Sequence, residues 1–267
     1  MTSIACWIGV DSRGPASAYI ATDSRLSWAP GQTWDFGRKT FASSHSPDVF
    51  GYCGDVVFPS ILLSQFVSAL DGQLHTGNFE SRFGALEEVV RVSFAALPAT
   101  ARRAFEILHC GRDGIGMGSE FRLAVLAWSQ RSGFERTLLA APDRSVAIRL
   151  AGSGRSSVRA RLHAWQATEA KDTTRVVFRG FVDALARGDD PASGGAPQLV
   201  GLYRIDAGMS FGVLSAGRRY LHGMPVHALA PGSQVLWHNE LFARVSGVTR
   251  KILPGAQRHG DVITPLD

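Results

Sequence analysis

The sequence predicts a layered α+β domain, with helix pairs packed outside stacked antiparallel sheets. Two observations predict it. Apolar runs and helical periodicities follow one another in the order strands, two helices, strands, two helices, strands. The 267-residue chain is 45% hydrophobic, enough for a sizeable core, and carries no repeat, low-complexity tract or long linker that would divide it.

The elements follow in order. Residues 4–10 and 18–22 are short apolar runs around Asp-Ser-Arg-Gly-Pro-Ala-Ser, the pattern of a β-hairpin. Residues 40–41 and 49–52 read as strands about a polar turn. Residues 56–70 place Val57, Ile61, Leu62, Phe66, Val67 and Leu70 at helical spacing, and a second helical pattern runs from 83 to 108, bent or divided at Pro98. Strands are expected at 121–128, 134–140 and 146–150, helices at 157–168 and 173–186, and a further strand at 199–205. From residue 206 onward, short β-like runs (211–214, 235–237) alternate with Gly-Pro turns. The expected organisation is therefore a domain over 1–205 and a β-rich extension over 206–267 that packs on it or on a neighbouring subunit.

Composition narrows the function classes. The longest apolar runs are about six residues, far short of a membrane span. The N-terminus lacks the basic start of a signal peptide. Cys6, Cys53 and Cys110 have no metal-ligand spacing and cannot all pair, which favours a reduced, cytoplasmic setting with cysteines as core fillers. The eight histidines show no pairing at metal spacing, so no metal is expected. The net charge of +5 is spread along the chain, and residues 155–161 space their arginines as a solvated helix face would. No nucleic-acid-binding signature accompanies them, and no nucleic-acid partner is expected.

Thr2 is the most informative residue. Removal of Met1, favoured by a small second side chain, leaves a threonine whose hydroxyl and free α-amine share one residue. The amine titrates near neutrality, so such a residue is nucleophile and base at once. Only three of the 28 basic residues are lysines (Lys39, Lys171, Lys251), which makes Lys39 a chemical choice, because ammonium suits proton chemistry better than guanidinium.

Ala21-Thr22-Asp23-Ser24-Arg25 resembles a segment of proteasome β-subunits and their bacterial relatives, and Lys39 stands sixteen residues after Asp23, where that family places its lysine. Gly51-Tyr52-Cys53-Gly54-Asp55 resembles the family's glycine turn, Gly152-Ser153-Gly154 its Gly-Ser-Gly, and Asp190-Pro191-Ala192-Ser193-Gly194-Gly195 its Asp-x-x-Ser-Gly-Gly segment. Five features in order, over residues 2–205, are specific where each alone is weak. The resemblance implies a four-layer αββα sandwich of the N-terminal-nucleophile (Ntn) hydrolases and a threonine peptidase without a cofactor.

In that reading Thr2 attacks, Lys39 favours the alkoxide, Asp23 orients Lys39, and Gly54 offers its N–H to the oxyanion. Ser153, Asp190 and Ser193 surround the Thr2 amine. Leu26, Phe41, Tyr52 and Val56 would line the substrate pocket. A homo-oligomeric ring or stacked rings, polypeptide substrates and a candidate ATPase unfoldase are implied likewise. The bland readings stand beside these: Asp23 closing a turn, Ser153 as a helix N-cap, Asp190 and Ser193 as loop solvation. The Thr2-to-Asp23 interval of 21 residues is longer than the family's usual first hairpin, with the surplus expected in a loop at 11–17. Two rival functions remain open: a stand-alone amidase or transpeptidase on a small substrate, and a catalytically silent ring subunit.

Overall fold

A computed structural model describes residues 2–28 and 31–256. The chain opens with β1 (Ser3–Asp11) and β2 (Gly14–Thr22), then the two-residue strands β3 (Leu26–Ser27) and β4 (Thr33–Trp34), then β5 (Thr40–Ala42) and β6 (Asp48–Gly54). Helices α1 (Val57–Asp71) and α2 (Phe79–Ala96) follow. Next come β7 (Phe105–Asp113), β8 (Glu120–Ser129), β9 (Gly133–Leu139) and β10 (Ala147–Gly152), and helices α3 (Arg155–Gln166) and α4 (Thr174–Arg187). Strands β11 (Gln198–Tyr203), β12 (Met209–Ser215), β13 (Arg218–Leu221), β14 (Met224–Pro225), β15 (Trp237–Asn239) and β16 (Arg244–Val245) close the order.

Two sheets dominate. The first runs β10-β1-β2-β11-β12-β13-β14, with β15 and β16 continuing from β12; the second runs β5-β6-β7-β8-β9. Side-chain alternation along β1 shows how they stack. Ile4, Cys6 and Ile8 face the second sheet, in a cluster with Val49, Leu108, Cys110 and Leu123. Ala5 and Trp7 point the other way, onto Val158, Val177, Phe178 and Phe181 of α3 and α4. The second sheet turns Phe50, Tyr52, Phe105 and Ile107 toward Leu63, Phe66, Phe83 and Val90 of α1 and α2. The result is helix pair, sheet, sheet, helix pair: the expected αββα sandwich. Both sheets are covered on both faces, so the central strands read as unbroken apolar runs.

That same coverage hides one strand from the sequence pattern. The helix expected over 83–108 ends at Ala96, and residues from Phe105 form β7, the middle strand of the second sheet. Leu97 is extended before Pro98, and β7, buried on both faces, shows no alternation to distinguish it from a helix. The connection expected at 11–17 is also corrected. The strands continue to Asp11 and from Gly14, leaving a two-residue turn, with a register shift at Gly9/Val10 absorbing the extra residue.

The strands of the segment from residue 206, β12 to β16, belong to the first sheet: β12 pairs antiparallel with β11, and β15 pairs parallel with β12. Residues 257–267 of the expected extension lie outside the described ones. Two histidines of this segment lie away from open solvent, His238 buried and His222 half-buried. Burial, reinforced by Arg38, pushes His222 down to about 3, and burial with Arg244 pushes His238 down to about 4. His109 in β7 is lowered as well, chiefly by burial, although it bonds Asp48 (Nε2 to Oδ1, 2.7 Å). Each folded value lies below the ordinary 6.5, so the unfolded chain binds more protons as pH falls below that value. Their stability is complete above about pH 6.5 and is lost as pH falls toward 4. His238 alone is expected to account for roughly 3 kcal/mol of that loss. It sits between the rings of Phe211 (5.0 Å) and Phe242 (4.8 Å), so His238→Phe fits the site and is expected to flatten the pH dependence of Tm between 6.5 and 4. An unchanged slope in thermal melts would contradict this assignment.

Among the described residues, no helix is long and apolar enough to cross a membrane, and no group of His, Cys, Asp and Glu side chains could hold a metal ion.

Candidate active site

The topology gathers the candidate residues at one end of the sandwich. Strand β1 begins where its antiparallel neighbours β10 and β2 end, and β11 begins where β2 ends. Thr2, Asp23, Ser153 and the loop before Gln198 therefore meet there. In the second sheet, β5 begins and β6 ends at the same end of their pair, which places Lys39 and Gly54.

Asp23 is fully buried and its carboxylate has four donors. Oδ1 accepts from the Ser3 N–H (3.0 Å) and the Lys39 ammonium (2.8 Å); Oδ2 accepts from the N–H groups of Arg25 (3.1 Å) and Gly194 (3.0 Å). Its own N–H donates to the Ser3 carbonyl. Lys39 is 0% exposed and gives a second bond to the Arg25 carbonyl (2.6 Å). Burial pushes the Lys39 ammonium below the usual lysine value, against the opposing charge of Asp23. Burial also raises the Asp23 carboxyl, and Lys39 works against that rise. A charge pair this deep is retained only with its remaining hydrogen-bonding capacity filled, as the four donors on Asp23 do.

Asp190 organises a second set. Its Oδ2 accepts from both Ser153 Oγ and Ser193 Oγ (2.7 Å each), and its Oδ1 from the Ala192 N–H (3.1 Å). Burial alone would raise this carboxyl, but the bonds from Ser153, Ser193 and Ala192 outweigh it and hold Asp190 below the ordinary aspartate value. Ser153 is not the N-cap of α3: Gly154 takes that position, and the Ser153 hydroxyl goes to Asp190.

Ser3 joins the two sets. Its N–H is on Asp23, and its hydroxyl donates to Ser193 Oγ (2.8 Å). Thr2, immediately before it, is 0% exposed in the described chain, and Met1 lies outside the described residues. The Gly-Ser-Gly motif has a steric reason here. Gly152 has φ of 85°, and a Cβ on it would strike the Thr2 carbonyl; a Cβ on Gly154 would strike Ser3 Oγ and crowd Asp190.

The remaining expected residues are placed as follows. Gly54 ends β6, exposed, with φ of 92°. Leu26 and Val56 are half-buried, whereas Phe41 and Tyr52 lie in the core between the second sheet and α1, 3% and 1% exposed. Exposed aromatic surface stands instead on the segment between Asp23 and Lys39, at Trp28, Trp34 and Phe36.

The chain is similar to BPH from Thiobacillus denitrificans, solved in complex with epoxomicin, with a TM-score of 0.51 and 14% sequence identity over 76% of this chain and 99% of that one. The fold is the proteasome-like Ntn-hydrolase fold. Similarity also extends to eukaryotic HslV from Trypanosoma brucei (TM-score 0.47, 12% identity, 75% of this chain and 99% of that one). No protein-family model matches the sequence, and no curated protein does.

Within this proteasome-like fold, four residues that sequence reasoning left unassigned complete the site. Ser3 bridges the two carboxylates. Arg25 pairs bidentately with Asp35 (2.7 and 2.9 Å) and donates to the Pro191 carbonyl (3.2 Å), tying the Asp23 segment to the Asp190 loop. Gln198 is buried behind Asp23 and Lys39. Arg25 lies inside a recognised motif and Ser3 beside Thr2, so both were legible; Asp35 and Gln198 carry no local signal.

Proposed function

We propose that this chain is a threonine peptidase of the proteasome-like Ntn class, active after Met1 is removed. The observation that carries the reading is Ser3: the residue next to Thr2 contacts both the Asp23–Lys39 pair and the Ser153–Asp190–Ser193 set. A buried charge pair and an ionised carboxylate with two hydroxyls, converging on one strand start, are unneeded in a scaffold.

In the proposed reaction the Thr2 hydroxyl oxygen attacks an amide carbonyl carbon and its proton passes to the Thr2 amine. Lys39 adds positive charge beside the forming alkoxide, and the Gly54 N–H receives the oxyanion. The carbon–nitrogen bond breaks as the amine returns its proton to the leaving nitrogen, leaving an ester on Thr2. Water, deprotonated by the same amine, releases the acid and restores Thr2. Asp190, with its serines, orients and keeps protonatable the amine that does this work.

The substrates proposed are polypeptides and the setting cytoplasmic, with subunits joined in a ring or stacked rings and an ATPase unfoldase as partner. Exposed apolar side chains one turn apart on α1, Val57 (67%) and Ile61 (54%), support contacts between subunits. The test is hydrolysis of unfolded casein beside short fluorogenic peptide amides, with Thr2→Ala as control. Cleavage of both, absent in the control, is expected. Cleavage of small amides alone would turn the reading to an amidase, and cleavage of neither by Met1-free protein would reject it.

A further inference from the structure

The hydrogen bonds behind the charge pair converge on one side chain that no motif includes. Gln198 begins β11, is 0% exposed, and uses both ends of its amide. Nε2 donates to the carbonyls of Gly37 (2.6 Å) and Asp23 (3.1 Å) and lies 3.3 Å from Ser24 Oγ. Oε1 accepts from the Lys39 N–H (3.0 Å) and the Thr40 hydroxyl (3.2 Å). One planar amide therefore holds both ends of the segment that separates Asp23 from Lys39. We propose that Gln198 is a positioning residue for the reaction, fixing Lys39 against Asp23 beside Thr2; this rests on the peptidase reading above.

The chemistry is specific to an amide. Glutamate has nearly the same shape but would set a carboxylate oxygen against the Gly37 and Asp23 carbonyls. Alanine would leave the Lys39 N–H and two carbonyls buried without partners, at a cost of the desolvation of each.

The segment beyond residue 206 closes the far side of this hub. Thr40 gives its single hydroxyl proton to Gln198, so the 3.1 Å contact with His222 Nδ1 has the imidazole as donor, in its neutral form. The next residue, Gly223, has φ of 80°, and a Cβ on it would come within 2.7 Å of Ser24 Cβ and 3.3 Å of Gln198 Nε2. This turn between β13 and β14 thus keeps the amide away from water, where its bonds would be weaker.

The test uses the assembled, Met1-free protein and the variants Gln198→Glu, Gln198→Ala and Thr40→Val, the last removing one of the two donors to Gln198 Oε1 together with the acceptor of the His222 imidazole. Two readouts are taken: kcat and KM on a fluorogenic peptide amide, and the titration of Lys39 by NMR of lysine labelled at the ε-carbon. Three lysines in the chain make that signal assignable. Expected is a fall in kcat of up to about 100-fold for the Gln198 variants, with KM unchanged, a smaller fall for Thr40→Val, and a displaced Lys39 titration in each. Unchanged kcat and an unchanged Lys39 titration in the folded variants would overturn the proposal. Should the Gln198 variants fail to fold, Thr40→Val decides it alone by the same criteria. A wild-type protein inactive on every amide rejects the peptidase reading instead, while a displaced Lys39 signal would still show that Gln198 positions the pair.

Discussion

Replacing Thr2 by alanine is expected to abolish peptide-bond hydrolysis while leaving the fold intact. The change removes the only hydroxyl that shares a residue with the proposed α-amine, so no acyl ester can form, and losses of about 10⁶-fold in kcat accompany removal of a comparable nucleophile. Alanine is small enough to preserve Met1 removal and the β1 start. Ser3 keeps its bonds to Asp23 and Ser193 through its own N–H and hydroxyl. Thermal melting should therefore match the wild type while activity falls to background. Serine at the same position retains a hydroxyl and should retain most of the activity. Equal rates for alanine and wild type would mean that another group attacks.

Lys39→Ala is expected to cost both activity and stability. It removes the positive charge proposed to assist the nucleophile and leaves Asp23, 0% exposed, with three backbone donors and without its ion-pair partner. Breaking a buried pair from one side costs about 3–5 kcal/mol, against about 0–1 for a surface pair. Activity should fall by several orders of magnitude, since positioned electrostatic groups supply about 10²–10³ each and the alkoxide also becomes harder to form. Asp23→Asn separates the two effects: it keeps the shape and removes the charge, so Lys39 loses its orientation while the fold suffers less. With the role proposed for Lys39, its depressed ammonium also predicts that the alkaline limb of kcat lies below the usual lysine range, because the charge is lost as pH rises through the folded value. A melting temperature unchanged in Lys39→Ala would show that the pair is not buried as described.

The layers and the paired carboxylates were legible in the sequence for different reasons. The helix pairs and the first hairpin announce themselves by local periodicity, and Asp23, Lys39, Ser153, Asp190 and Ser193 by their intervals. The strand β7 was lost because a strand covered on both faces has no alternation to read. Gln198 was lost for another reason. Its partners lie 158 to 175 positions away, so nothing near it in the chain marks it as more than a polar residue opening a strand. Asp35 is similar: its meaning is the guanidinium of Arg25, ten residues back across a hairpin of two-residue strands. Phe41 and Tyr52 were expected at a pocket because apolar residues beside a motif suit a pocket wall as well as a core. Packing on α1 makes them core, and only the three-dimensional arrangement distinguishes the two.

The proposed activity requires that Thr2 carry a free amine and an attacking hydroxyl in one oriented residue. It is tested by the intact mass of the purified protein with and without epoxomicin, the compound in the BPH complex, beside a Thr2→Ala control. A peptide epoxyketone joins both the hydroxyl and the α-amine of a terminal threonine, so one adduct requires both to be free and aligned. Loss of Met1 and a single adduct are expected on the wild type, with none on the control. Protein that has lost Met1 yet takes no adduct, or an adduct that persists in Thr2→Ala, would contradict it.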